Sequence, residues 1–98
     1  MSIPFTQILL PNGRRREIII DRSEEIEKMA HDIIDNGYRF EAEILTTGEV
    51  SFEVLKDMDD GPGILGSDIC NNELGVGDVV DRLVKNAFTA MMEGRKET

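Results

Sequence analysis

Residues 38–54, YRFEAEILTTGEVSFEV, decide the fold. Phe40, Ala42 and Ile44 alternate with Arg39, Glu41 and Glu43, and further on Val50, Phe52 and Val54 alternate with Ser51 and Glu53. A period of two belongs to a strand with one face buried and the other wet. The two apolar sets share a face only if opposed positions sum to an even number. That selects the three-residue loop Thr46-Thr47-Gly48, with Gly48 as the left-handed residue of a bulged turn. In this register Glu41 stands directly opposite Glu53 on the face turned away from the core.

Upstream, the β-prone stretches Ile3 to Leu10 and Arg14 to Ile20 flank Pro11-Asn12-Gly13, whose residues favour chain reversal, so a hairpin is expected. Asp21, with Glu24 three residues on, matches an N-cap and predicts a helix from Arg22 to Asn36, ended by Gly37. Ile26, Met29, Ala30, Ile33 and Ile34 form its apolar stripe. Downstream, DMDDGPG at residues 57–63 reads as a loop, and Ile64 to Cys70 as a short fifth strand interrupted by Gly66. Turn residues at Asn71-Asn72 and at Gly75 and Gly77 precede a second helix, Asp78 to Met92, capped by Asp78 and ended by Gly94. Its buried side carries Val79, Val80, Leu83, Val84, Ala87, Phe88 and Met91. The order ββαβββα predicts an α+β domain of two layers over residues 1–94, an antiparallel sheet with both helices on one face, and a polar tail at 95–98.

Composition bounds the rest. Leu, Ile, Val and Phe make up 28 of the 98 residues, enough for one modest core. Twenty acidic against eleven basic residues give a net charge of −9, which disfavours direct binding of nucleic acid. The single cysteine allows no internal disulfide. The start MSIPFTQILLPNG has neither a basic leader nor a long apolar run, so a soluble cytoplasmic chain without a membrane segment is expected.

The runs FTQILLPNGRRR, IDRSEEIEKMAHDIIDNGYRFEAEILTTGEVSFEV and GVGDVVDRLVKNA resemble small uncharacterised proteins of bacterial and phage genomes that carry FTQ, PDGR, GYRFE, TG-VS and VDRL elements. The resemblance spans nearly the whole chain and implies the same element order. Asn12 stands where those sequences commonly have Asp, and residues 57–77 look less regular than theirs. No activity belongs to the group, so no catalytic residue is carried over.

The motifs that invite a chemical reading have plainer ones. His31-Asp32 resembles the paired residues of metal-dependent phosphohydrolases, but such a centre needs further histidines and the chain has one, so a solvated imidazole four residues from both Glu27 and Asp35 is expected. The Asp57, Asp59, Asp60, Gly61 run lacks the later carboxylates of a calcium loop. Gly75-Val76-Gly77 lacks the third glycine of a phosphate cradle, and Asp78 would oppose an anion there. Cys70 has no activating neighbour in sequence. Arg14-Arg15-Arg16 reads as a guard on a strand edge. No catalytic residue, metal site or cofactor is assigned, and a non-enzymatic domain is expected.

Two features point outward. Glu41, Glu43 and Glu53 project together from the open sheet face, where opposed like charges destabilise unless something cationic answers them. The first hairpin has apolar residues on both faces, with Ile8, Leu10 and Ile19 left over once one face is buried. The expectation is an acidic interaction domain that self-associates, most simply as a dimer, through the open sheet face or the edge of the first strand, with Ile8, Leu10 and Ile19 at the contact. The alternative is a phage-type inhibitor that presents Glu41, Glu43, Glu49, Glu53 and the Asp57 to Asp60 loop to a basic host protein as a mimic of nucleic-acid phosphates.

Overall fold

A computed structural model describes residues 2–70 and 75–96. The element order is β1 (Ile3–Leu9), β2 (Arg14–Ile20), α1 (Glu24–Asp35), β3 (Arg39–Ile44), β4 (Val50–Met58), β5 (Gly61–Cys70) and α2 (Val76–Lys96). This is the α+β class and the ββαβββα order read from the chain.

The alternating pair behaves as its sequence dictates. Phe40 pairs with Val54, Ala42 with Phe52 and Glu41 with Glu53. Leu45 N–H donates to the Glu49 carbonyl at 2.9 Å, and Gly48 takes φ 93°, so the loop is the bulged three-residue turn. The first hairpin turns through residues 10–13, where Gly13 N–H donates to the Leu9 carbonyl at 2.7 Å and Asn12 Oδ1 accepts from Arg14 N–H at 3.0 Å.

The five strands lie in the order β2-β1-β3-β4-β5. Three of the four joints are antiparallel, but β1 and β3 run parallel, with Phe5 beside Phe40, so the sheet is mixed where a wholly antiparallel one was expected. The reason is topological. Ile20 pairs with Ile3 and Phe40 with Phe5, so α1 leaves from and returns to the same end of β1. Because β2 has already carried the chain back to that end, a strand started there runs parallel to β1, and α1 has only to take the chain past β1 to its other side.

One core cluster joins both helices to a single face of the sheet. Ile26, Ala30 and Ile33 come from α1, and Val79, Val80, Leu83, Val84, Ala87 and Met91 from α2. Ile3, Phe5, Phe40, Ala42, Phe52, Val54 and Cys70 come from the strands. Phe5 lies 5.1 Å from Phe40 and 5.7 Å from Phe52 between ring centroids, the second pair edge to face. Ile44, expected in the core, is half-buried because it ends its strand.

Several boundaries differ from expectation. Ser23, not Asp21, caps α1, accepting from Ile26 N–H at 3.4 Å, while Glu27 reaches back to accept from Arg22 N–H at 2.8 Å. The hydroxyl sits three residues before a free amide, as a cap requires. Residues 57–63 are not a loop: β4 and β5 continue to Met58 and Gly61, Asp59-Asp60 make the turn, and Gly61 has φ 117°. The longer fifth strand absorbs its irregularity as a register shift opposite Val54 and Leu55. Helix α2 begins at Val76, so Asp78 lies in its first turn, and Gly94 is inside it. Asn71-Asn72 lie outside the described residues, as do positions 97 and 98 of the expected tail.

Gly77 has a packing role that its sequence context did not suggest. Arg22 donates through Nε and Nη2 to both Asp81 carboxylate oxygens at 2.8 and 2.9 Å, tying the entry of α1 to α2. A Cβ on Gly77 would collide with the Arg22 guanidinium, which would have to move. Opposite α1's C-terminal end, whose last turn has no basic residue, Lys56 packs beside Gly37, with Nζ 5.2 Å from the Tyr38 ring centroid.

Two stability measurements check this account. Phe52→Ala should lose on the order of 3 kcal/mol in chemical denaturation, since transfer and cavity costs add in a core with few aromatics; a loss under about 1 kcal/mol would remove Phe52 from the core. Gly77→Ala, which in an unobstructed helix gains up to about 1 kcal/mol, should instead be neutral or destabilising. Asp81→Ala should then cost about 1 kcal/mol in the native background and little in the Gly77→Ala background, because both changes remove the same ion pair.

Candidate functional site: the open face of the sheet

The strand registers lay the uncovered face out as three rows across the five strands. The middle row reads Glu17, Thr6, Glu41, Glu53 and Ser67 from β2 to β5. The row on one side reads Arg15, Ile8, Glu43, Ser51 and Ile69. On the other side, Ile19 opposes Pro4 on one pair of strands, and Arg39, Leu55 and Ile64 oppose one another on the next three. Glu41, Glu43 and Glu53 thus occupy two neighbouring central strands, as the alternation predicted.

Arg39 partly answers this charge. Its Nε donates to Glu41 Oε2 at 2.7 Å, and its Nη1 lies 3.0 Å from Asp57 Oδ2. Glu41 is buried, only 7% exposed, and spends its charge on Arg39. Glu43 and Glu53 are half-buried. Partial desolvation pushes the Glu53 carboxyl above its ordinary value, and the nearby charges of Glu43 and Glu41 push it the same way. The sequence reading set Glu41 against Glu53 but did not anticipate Arg39, two residues away on the same strand and therefore on the same face.

The three isoleucine and leucine candidates do not form one patch. Ile8 is buried outside the main core cluster, set between Arg15 and Glu43, whose long stems can lie over it. Ile19 is 67% exposed in a different row, with Glu17 and Thr6 between the two. Leu10 is exposed beyond the end of β1, its N–H donating to the Ile44 carbonyl at 3.0 Å. At the opposite edge of the face Ile64 and Ile69 are also exposed.

Elsewhere the chain offers little chemistry. His31 is half-buried, not solvated: its Nε2 donates to the Ser2 carbonyl at 2.7 Å, which fastens the chain start to α1. Among the described residues no three His, Cys, Asp or Glu side chains are grouped to hold a metal ion, and no helix is long and apolar enough to cross a membrane. Cys70 is buried in the core cluster. Arg14, Arg15 and Arg16 are exposed on the outer strand, Arg16 donating to Gln7 across the hairpin. Compared with protein families, curated proteins and solved structures, the chain matches none.

The raised Glu53 carboxyl has a measurable sign. Its folded-state value exceeds its unfolded one, so the folded form holds the proton longer, and stability falls as pH rises through that window. Glu53→Gln should therefore stabilise the chain at neutral pH by about 0.5 kcal/mol. The gain should fade as pH drops below the ordinary glutamate range, as read by denaturation midpoints at a series of pH values.

Proposed function

We propose that this chain is a non-enzymatic protein-interaction domain whose open sheet face receives a positively charged surface of another protein. The observation that carries the reading is the group of carboxylates at the centre of that face, where Glu53 stands directly opposite Glu41 and burial, with the charges of Glu43 and Glu41, pushes its carboxyl above the ordinary value. Each like-charge contact among these carboxylates is a cost in the free domain, and a cationic partner relieves it.

Two copies stacked face to face about β3 would set Glu41 and Glu43 against their own counterparts, desolvating like charges. This favours a different, basic protein over a second copy as the occupant. Self-association remains the second reading, and the observation in its favour is Ile19, the most exposed large apolar residue among those described.

A labelled oligolysine peptide should bind the chain at low salt and weaken by roughly tenfold as ionic strength rises from about 0.02 M to about 0.2 M. Glu43→Lys combined with Glu53→Lys should abolish binding, while Glu24→Lys with Glu25→Lys, equal charge reversals on exposed α1 positions, should leave it within about twofold. Equal loss in both variants would mean that only net charge matters and would defeat the reading. Salt-insensitive dimers in light scattering, dissociated by Ile19→Glu, would establish the self-association reading instead.

A further inference from the structure

A cavity of about 140 Å³ opens beside the start of the β1–β3 ladder, lined by Pro4, Thr6, Glu17, Ile34, Tyr38 and Arg39 together with Phe5 and Phe40. Its cause is local. The parallel ladder begins at Phe5 and Phe40, and Pro4, having no N–H, cannot extend it toward Arg39. The strands therefore part at this end. Pro4, Ile34 and Tyr38 give the lining its apolar part, and Glu17 and Arg39 its charged part.

This lining joins the cavity to the open face. Thr6 and Glu17 belong to its middle row, beside Glu41. Arg39, the cation of the lining, is already engaged by Glu41 and Asp57. An occupant thus meets an apolar socket with carboxylates beside it, and a cavity near 150 Å³ accommodates a group about as large as benzene.

We propose that this cavity takes one apolar side chain of leucine or phenylalanine size from a cationic segment of a partner protein, with flanking lysine or arginine residues lying over Glu17, Glu43 and Glu53. This rests on the open face being the partner surface. The cavity sets the anchor and the carboxylates set the flanks, so the segment pairs a desolvated centre with a charged surround.

The test uses two labelled lysine-rich peptides that differ only in their central residue, alanine or leucine, read by fluorescence anisotropy on the full chain. The leucine peptide should bind about tenfold tighter, as burial of its side chain implies. Thr6→Trp, which sets a large ring over the cavity, should reduce that advantage below about twofold while the alanine peptide binds as before. If Thr6→Trp lowers the helical circular dichroism, Pro4→Trp at an exposed position serves in its place. Equal affinity of the two peptides, or a leucine advantage that survives the tryptophan, overturns the socket while leaving the acidic face intact as the binding surface. Failure of both peptides to bind at low salt overturns the acidic face, and the socket with it.

Discussion

Three phenylalanine rings on three adjacent strands hold the molecule together. Phe5, Phe40 and Phe52 belong to β1, β3 and β4, and they touch across the one joint where the chain brings distant segments side by side. With Phe5 beside Phe40, the first hairpin is placed in register with the strands that follow, and both sheet faces are then determined. The covered face collects Ile3, Ala42, Val54 and the helix stripes. The uncovered face collects what remains, which is why three glutamates meet there. Domains of this size bury little more than they must, so a core of small aliphatics around three rings has few residues to spare.

What the sequence disclosed and what it concealed divide along one physical line. Patterns decided by neighbours two to four residues away were readable: the alternation around Phe40 and Phe52, the left-handed Gly48, and the stripes of both helices. The pairing of Glu41 with Glu53 followed from the same local arithmetic. Features settled by distant partners were not readable. The parallel β1–β3 joint, the clamp of Arg22 on Asp81 and the crowding at Gly77 all link segments tens of residues apart, and no periodicity records them. The DMDDGPG segment misled because Gly, Pro and Asp usually mark loops; here the pairing of Asp57 with Pro62 and of Met58 with Gly61 overrides that tendency. Ile8 misled in the opposite way, since apolar character on an open face does not imply exposure when longer charged neighbours flank it.

The site shows the same division. Its carboxylates could be placed from alternation alone, because face assignment needs only parity. Its socket could not, because a cavity depends on where a ladder stops, and that depends on Pro4 meeting a strand from thirty-odd positions away. The charges and the socket also answer to different forces. Carboxylates act through solvent and weaken with salt, whereas an apolar socket acts only on contact. A surface that combines them can draw partners in from a distance and then select among them at close range.

The joint between β1 and β3 also bears on how the chain reaches this state. The turns of the three hairpins lie at residues 10–13, 46–48 and 59–60, short loops that close at small entropic cost. Bringing Phe5 beside Phe40 closes a much longer stretch, with α1 inside it. The covered face is finished only when α2 packs beside α1 onto strands that precede it in the chain. During synthesis part of the sheet's apolar side therefore stays uncovered until α2 has been made, and completion of the interior is a non-local event.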